Sequence, residues 1–124
     1  MDINNLKEVN DRYGHYEGDR LIQAAASCIL DVFGPLGKGY RIGGDEFVVI
    51  LENSTAEEVE KALEAFQQRV QKENGQKETH CLSIAAGYAL WKQESDTAEE
   101  LFRRADADMY VRKQKMKLER GGFL

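Results

Sequence analysis

The sequence predicts a domain of the α/β (α+β) class, with a central sheet that contains an antiparallel hairpin and is flanked by helices. Two observations support this prediction. The segment RIGGDEFVVIL at residues 41–51 has apolar residues on both sides of a Gly-Gly pair, as in a hairpin. Other segments carry apolar residues at helical spacing, and they alternate with the strand-like runs.

The first third of the chain predicts a strand end, a loop and a helix. Residues 1–4 have the pattern of a strand end. Residues 5–19 are polar and punctuated by glycine, which predicts a loop with one helical turn at residues 5–9. A helix is predicted over residues 17–33, where the following Gly-Pro pair ends it. Its apolar residues at helical spacing are Leu21, Ile22, Ala25, Ile29, Leu30 and Phe33.

The middle of the chain predicts a hairpin followed by a capped helix. The hairpin strands are expected over residues 39–42 and 47–51. Thr55 and Glu58 have the spacing of a capping box, which predicts a helix that is ended by Gly75. The expected inner face of this helix consists of Val59, Leu63, Phe66 and Val70.

The last third of the chain predicts one buried strand and one helix. The apolar run at residues 80–90 has the length and composition of a buried strand. Thr97 and Glu100 repeat the capping-box spacing and start a helix that fades near Lys117. The apolar residues of this helix are Leu101, Phe102, Ala105, Met109 and Tyr110.

The bulk composition indicates a single domain over residues 1–124. A chain of this length that is 42% hydrophobic can bury a core. Its net charge of −5 argues against non-specific binding to nucleic acid or anionic lipid, so an anionic substrate needs a local cation. Without a membrane-length apolar stretch or a signal segment, the domain is expected to be cytoplasmic. Cys28 and Cys81 match neither a disulfide framework nor a zinc site, and both are expected to be buried thiols.

The hairpin tip is the first candidate site. Asp45 and Glu46 directly follow Gly43 and Gly44, and glycines leave room for a ligand to approach the backbone. A solvated tip that keeps the hairpin soluble explains two acids at a turn equally well. Asp2, at the end of a neighbouring strand, would add a carboxylate from a second strand, and such an oxygen-only site suits Mg²⁺ or Mn²⁺ beside phosphate. Taken alone, Asp2 is better explained as a strand-end acid near a frayed terminus.

Two groups of residues have the composition of a phosphate-binding site. Residues 5–7 would begin a helical turn whose N–H groups, together with Lys7, face an anion. Lys113 and Lys117 recur four residues apart on the last helix, where they would direct two cations at a triphosphate. A solvated helix face is the more common explanation of the lysine pair.

Asn10 and Asp19 are candidates for base recognition. An amide and a carboxylate together match the donor and acceptor edge of guanine. A turn residue and a helix cap are the more common explanations for this pair. His15 lies in the same segment, and we assign it no chemistry.

Three segments together resemble the GGDEF family, the diguanylate cyclases. GGDEF at residues 43–47 is similar to the family signature. DINNLKEVNDRYGHYEGD at residues 2–19 resembles the metal-aspartate strand of the family and its Lys…Asn-Asp…Gly-His…Gly-Asp segment. RADADMYVRKQ at residues 104–114 resembles the family's Ala-Asp…Tyr…Lys helix. The resemblance runs through essentially the whole chain, and the order and spacing of the motifs make it specific.

The resemblance implies a nucleotidyl-cyclase-like fold and the Mg²⁺-dependent (or Mn²⁺-dependent) condensation of two GTP molecules into cyclic di-GMP with release of pyrophosphate. By motif position, Asp45 and Glu46 would be catalytic, with Glu46 as metal ligand or as the base for the ribose 3′-hydroxyl. Metal would be held by Asp2, the Ile3 carbonyl, Asp45 and Glu46. The residues implied to bind GTP are Asn5, Leu6, Lys7, Asn10, Asp19, Gly43, Gly44, Lys113 and Lys117.

The resemblance also implies partners. Since each domain would hold one GTP, bond formation requires a homodimer. A sensory domain is expected upstream in the parent chain, whose membrane attachment is left open, and no nucleic-acid partner is expected. The alternatives are a degenerate member that binds GTP as a sensor, and a pairing module without a ligand.

The chain departs from the family pattern in four places, one of which is that Asn4 and Asn5 stand where an acid and an aromatic residue are common. The family has several dozen more residues before the metal aspartate, so the N-terminal part of the domain is expected to be missing. The Arg-x-x-Asp inhibitory motif is replaced by residues 34–37, so no product-inhibition site is expected. The usual Gly-Arg-Asn after the last lysine is replaced by Met116-Lys117-Leu118, and whether Lys117 substitutes for the arginine is left open.

Overall fold

The computed structural model describes residues 1–75, 81–92 and 96–119. It has the predicted α+β composition, and its residues cluster into an N-terminal unit over Asp2–Ile84 and a C-terminal unit formed by Met1 and the chain from Ala85 onward. The prediction of a single domain stays a prediction. The elements are β1 (Asp2–Ile3), α1 (Leu6–Tyr13), α2 (His15–Phe33), β2 (Gly37–Arg41), β3 (Phe47–Leu51), α3 (Ala56–Asn74), β4 (Ile84–Ala85) and α4 (Ala98–Glu119).

The segment predicted as a loop before α2 is instead mostly helical, so that prediction was wrong. Helix α1 covers Leu6–Tyr13, and α2 already begins at His15. Gly14, with φ of 92°, separates the two helices, because this left-handed backbone conformation cannot continue a helix and suits glycine. The sequence of α1 is polar because this helix buries little apart from Leu6, and so it lacks the apolar pattern that predicts a helix. The helix is stabilised by packing against α2.

Helices α2 and α3 enclose the core of the N-terminal unit. The Phe33 and Phe66 rings lie 5.5 Å apart at a tilt of 47°, and Phe66 is fully buried. Leu30, which was predicted on the same apolar stripe of α2, is 66% exposed. The other buried apolar side chains of the two helices are Leu21, Ala25, Cys28, Ile29, Val59, Ala62, Leu63 and Val70.

One buried thiol and one ion-pair network lie where α2 meets α3. Burial raises the pKa of the Cys28 thiol above its ordinary value of 9.0, because the thiolate would lose its hydration. The guanidinium of Arg69 donates to Asp31 at 2.8 Å and to Glu73 at 3.0 Å, and the hydrogen bond to Asp31 is the main cause that raises the pKa of Arg69. The second cysteine, Cys81, is exposed, so its predicted burial was wrong.

The predicted hairpin and capped helix are confirmed. Strands β2 and β3 pair antiparallel, with Gly37 opposite Leu51 and Arg41 opposite Phe47. At the start of α3, the Thr55 hydroxyl accepts a hydrogen bond from the backbone N–H of Glu58, and the Glu58 carboxylate accepts one from the N–H of Thr55.

The buried strand predicted over residues 80–90 is shorter in the structure. His80 lies outside the described residues, and only Ile84–Ala85 form β4, which pairs with the two-residue strand β1. The side chain of Asn74 donates to the Leu82 carbonyl at 2.8 Å and accepts from the Leu82 N–H at 2.7 Å. This amide therefore pairs with both backbone groups of Leu82, two residues before β4.

Helix α4 dominates the C-terminal unit and begins where the sequence predicted. The Thr97 hydroxyl accepts from the N–H of Glu100, which confirms the cap. One carboxylate oxygen of Asp108 accepts both the N–H of Tyr88 at 3.0 Å and the side chain of Arg112 at 2.9 Å. The Arg112 guanidinium also lies over the Tyr88 ring, 5.4 Å from its centroid, so these three residues tie the segment before α4 to the helix. None of the helices that the structure describes is long and apolar enough to cross a membrane.

Candidate active site

The structure brings the acidic end of β1 next to the acidic hairpin tip. Asp2 forms an antiparallel β-bridge with Glu46, and the N–H of Ile3 donates to the Asp45 carbonyl at 2.9 Å. On the other side of the tip, the N–H of Ile42 donates to the Glu46 carbonyl at 3.0 Å. The backbone of Asp45 and Glu46 is therefore held from both neighbouring strands.

The bridge also determines which carboxylates are neighbours. Residues directly opposite each other in an antiparallel pair place their side chains on the same face, so Asp2 and Glu46 form a cross-strand pair of acids. Oxygen Oδ1 of Asp2 is buried, Glu46 is half-buried and Asp45 is exposed. The sequence analysis associated Asp2 mainly with Asp45. In the structure, the residue directly opposite Asp2 is Glu46. The metal-binding and catalytic roles of these residues stay predictions.

Neither backbone conformation nor packing requires the two glycines at the hairpin tip. Gly43 and Gly44 do not adopt positive φ angles. A Cβ atom added at Gly44 would meet nothing within 4 Å among the described residues beyond its chain neighbours, and one at Gly43 would lie at an ordinary 3.7 Å from Glu46. The turn is therefore open, and the expectation that glycine leaves room for a ligand is consistent with it.

The conformation of the tip is stabilised by a residue that the sequence reasoning overlooked. The Arg41 side chain donates to the carbonyl of Gly43 at 3.1 Å and to that of Gly44 at 2.9 Å. An arginine two residues before a Gly-Gly pair was the available signal. Its two hydrogen bonds orient the peptide groups that lead into Asp45.

The segment predicted to hold phosphate forms the start of α1. Asn5 has a left-handed conformation, with φ of 62°, and turns the chain from β1 into the helix. Among the described residues no side chain caps this N-terminus, so first-turn N–H groups are available. Leu6 is buried and anchors the turn, while Lys7 is exposed. These positions fit the predicted role but do not test it.

Asn4, whose effect the sequence left open, fixes the end of β1. Its backbone N–H donates to the Ser83 carbonyl at 2.8 Å, and its side-chain amide donates to the Ser83 hydroxyl at 2.9 Å. This double contact joins positions 79 residues apart in the chain. It holds the backbone between Asp2 and the start of α1.

The two predicted base-recognition residues lie on different helices. Asn10 lies within α1 and Asp19 within α2, whereas the cap of α2 is Gly14, so the interpretation as a turn residue and a helix cap was wrong. Oxygen Oδ1 of Asn10 is buried and has no hydrogen-bond partner in residues 1–75, 81–92 and 96–119. Asp19 is exposed. Their role in guanine recognition stays a prediction.

The predicted lysines lie on α4, in the C-terminal unit. Lys113 is half-buried and Lys117 is exposed. Their proposed contact with phosphate stays a prediction.

The acids near the tip carry only oxygen donors, the ligand type that hard cations prefer. In the part of the chain that the structure describes, no three histidine, cysteine or acidic side chains form a metal cage. Mg²⁺ usually binds through one or two carboxylates together with phosphate oxygens and waters, rather than through a protein-only cage. The Asp2–Glu46 pair, with Asp45 beside it, has that composition.

Comparison with known proteins identifies the family. Residues 1–119 match the family model described as "Diguanylate cyclase, GGDEF domain". The chain belongs to this family.

Curated relatives carry the same name. The chain is 35% identical over 115 residues to the probable diguanylate cyclase DgcJ of Escherichia coli K12, covering 92% of this chain and 22% of the relative. It is 36% identical over 118 residues to the diguanylate cyclase DgcN of the same strain, covering 91% of this chain and 28% of the relative. The chain thus spans about a quarter of the length of these relatives.

Solved structures confirm the fold. The active GGEEF domain of a diguanylate cyclase from Vibrio cholerae has a TM-score of 0.77 at 30% identity, covering 92% of this chain and 73% of that one. The GGDEF domain of DgcB from Caulobacter crescentus, solved in complex with c-di-GMP, has a TM-score of 0.80 at 30% identity, with coverage of 92% and 69%. The predicted nucleotidyl-cyclase-like class is therefore confirmed at the level of the GGDEF fold.

Proposed function

We propose that this chain is the catalytic domain of a diguanylate cyclase, which condenses two GTP molecules into cyclic di-GMP. The observation that carries the proposal is the pairing of β1 with the hairpin tip, which brings Asp2 beside Glu46 and Asp45. The bridge places Asp2 opposite Glu46, next to a turn at which a Cβ atom on Gly44 would meet open space among the described residues. The name of the family and the names of the relatives support the same reaction.

The acids and one carbonyl at the tip would hold Mg²⁺ or Mn²⁺. Asp2, Asp45, Glu46 and the Ile3 carbonyl supply only oxygen ligands, which suit a hard cation. When bound, the ion would neutralise charge on the phosphates and favour ionisation of the ribose 3′-hydroxyl. Glu46, which lies opposite Asp2 and accepts the Ile42 N–H through its carbonyl, is the proposed acceptor of the hydroxyl proton.

The start of α1 would receive the triphosphate. The backbone N–H groups at residues 5–7 carry partial positive charge, and the exposed Lys7 adds a full positive charge beside them. Gly43 and Gly44 would let the phosphates approach the tip backbone. Lys113 and Lys117 would add charge from α4.

The guanine base would be recognised by Asn10 on α1 and Asp19 on α2. Asn10 and Asp19 present acceptors that match the N–H donors on the Watson–Crick edge of guanine. The exposed Asp19 and the buried Oδ1 of Asn10 together would favour guanine over adenine, whose edge presents an acceptor at the central position.

The reaction requires two copies of the domain. In each half of the reaction, a 3′-oxygen attacks the α-phosphorus of the other GTP, the bond from that phosphorus to the bridging oxygen breaks, and pyrophosphate leaves. Because each copy would hold one GTP, a homodimer that faces the two sites together supplies the required proximity. The proposal also includes control of this pairing by an upstream sensory domain.

The test is incubation of the chain at high concentration with GTP and Mg²⁺, followed by separate measurement of cyclic di-GMP and pyrophosphate. Wild type should form both, and Glu46→Gln and Asp45→Ala should each lower turnover by more than about 100-fold. Glu64→Gln, which changes an exposed acid on α3, is the matched control and should retain turnover.

The outcomes distinguish the alternatives. GTP binding without product would favour a degenerate GTP sensor over an enzyme. Absence of both binding and product would favour a pairing module without a ligand.

A further inference from the structure

The side chain of Asn10 lies in the space that a side chain at Gly18 would occupy. Gly18 is buried in the first turns of α2. A Cβ atom added there would lie 1.7 Å from Oδ1 of Asn10, 2.7 Å from its Cγ and 3.2 Å from its Nδ2. The first two distances are far shorter than any stable contact, so this position of the amide exists only because residue 18 has no side chain.

The oxygen at this contact is also an acceptor without a donor. Oδ1 of Asn10 is buried and accepts no hydrogen bond from any residue that the structure describes. Burial of such an oxygen is unfavourable unless a donor completes it. Asp19, which follows Gly18 in α2, is exposed, and its carboxylate can only accept when ionised. The Asn10 oxygen and the Asp19 carboxylate are both acceptors, and such acceptors match a ligand edge that carries N–H groups.

We propose that Gly18 is a positioning residue for purine selection. Its missing side chain holds open the volume in which the Asn10 amide lies, and so sets the position of Oδ1 as an acceptor for an N–H donor of guanine. This inference rests on the proposed function, since it assigns a determinant of selectivity to the same nucleotide site.

A methyl group at position 18 would move the acceptor without breaking the fold. The clash involves the far end of a short side chain, which can rotate away about its own torsions. Alanine also favours a helix more than glycine does. Gly18→Ala should therefore fold, with the Asn10 oxygen displaced from its present position.

The experiment compares four forms of the full chain: wild type, Gly18→Ala, Asn10→Ala and the double variant. Affinities for GTP and for ATP are measured by calorimetry with Mg²⁺ present. Gly18→Ala should lower the preference for GTP over ATP by roughly tenfold, the size of one lost hydrogen bond to a base. Asn10→Ala should lower it similarly, and adding Gly18→Ala to Asn10→Ala should change it no further, because the group that the methyl displaces is already gone.

Ser27→Ala is the control for altered helix propensity. It changes an exposed residue of the same helix and should leave the nucleotide preference at the wild-type value. If Gly18 had only a structural role, Gly18→Ala would change stability with or without the Asn10 side chain. Its effect on the preference for GTP over ATP would then not depend on Asn10.

Each of the other outcomes either supports or overturns the proposed role of Gly18. An unchanged GTP preference in Gly18→Ala, or an equal further loss in the Asn10→Ala background, overturns the inference while the proposed function stands. Wild type that binds neither nucleotide overturns the proposed function and the inference with it. If Gly18→Ala fails to fold, folding of the double variant supports the contact with Asn10, and failure of both overturns it.

Discussion

At one end of the β2–β3 hairpin a glycine is required by packing, and at the other end two glycines are not. A Cβ atom at Gly37 would lie 2.1 Å from the backbone oxygen of Ile50, which cannot move without disrupting the pairing. At Gly44 the same atom would meet none of the described residues beyond its chain neighbours within 4 Å. The tip, formed by residues 43–46, also carries two acids, whereas β3 behind it buries Phe47.

This contrast distinguishes glycines that the packing of the hairpin requires from glycines that it does not require. Where packing or backbone conformation already accounts for a residue type, nothing further needs to be inferred. Where neither does, as at Gly43 and Gly44, the residue type points to a ligand. The comparison predicts that changes in the packed region lower stability alone, while changes at the tip lower ligand binding alone.

The largest effect on stability is expected in the packed region. Phe66→Ala removes a fully buried ring that contacts Phe33, so the free energy of unfolding should fall by about 3–5 kcal/mol. Chemical denaturation monitored by circular dichroism measures this. The affinity for GTP per folded molecule should be unchanged, and a fall in that affinity would break the separation between packing and tip.

A matched pair of glycine substitutions sharpens the comparison within one hairpin. Gly37→Ala should cost about 1–3 kcal/mol, as overpacking against a backbone atom does. Gly44→Ala should change stability by less than about 0.5 kcal/mol, because the added methyl group meets open space. Denaturation curves of the two variants give both numbers.

Titration with GTP tests whether the glycine at the tip matters for ligand binding. Gly44→Ala should weaken GTP binding measurably in the presence of Mg²⁺, because the methyl group occupies the space that the phosphates would approach. Full GTP affinity in Gly44→Ala would show that the open tip is not a binding surface.

A smaller effect on stability is expected from the N-terminal cap of α3. Thr55→Ala removes the hydroxyl that accepts the N–H of Glu58 and should lower the free energy of unfolding by about 1 kcal/mol. The neighbouring Ser54→Ala, whose hydroxyl donates over a long 3.4 Å to the Glu52 carbonyl, is the control and should cost less. Equal costs for the two variants would contradict the assignment of the cap.

The smallest effect is expected from the pH dependence of the packed core. Because burial raises the pKa of Cys28, the folded state retains the thiol proton to higher pH than the unfolded state. The resulting stability is complete below pH 9.0 and is lost as pH rises through the folded pKa. Cys28→Ala should therefore show a shallower loss of stability above pH 9.0 in denaturation at several pH values, with the exposed Cys81→Ala as control. An unaltered slope in Cys28→Ala would exclude this cause.

The elements predicted from sequence with the greatest success are those whose signals are local. Helix α3 begins after Thr55 and ends before Gly75 as predicted, because its cap involves residues three positions apart. The hairpin was predicted because alternation of apolar residues is also local. For the candidate site, the acids at the tip and the family resemblance were accessible from the residues alone, whereas the contacts of Arg41 and Asn4 were overlooked.

By itself, the sequence determined the α+β class, the hairpin, the start of the last helix and the family, since spacing within short segments carries these properties. Tertiary structure decided what depends on contacts between distant segments. A polar stretch became α1 because it packs against α2, and the Asn74 side chain pairs with both backbone groups of Leu82 ahead of β4. It also decided that Asp2 lies opposite Glu46 and that Asn10 fills the space beside Gly18. No local pattern encodes such contacts, because their partners are fixed only when the chain closes on itself.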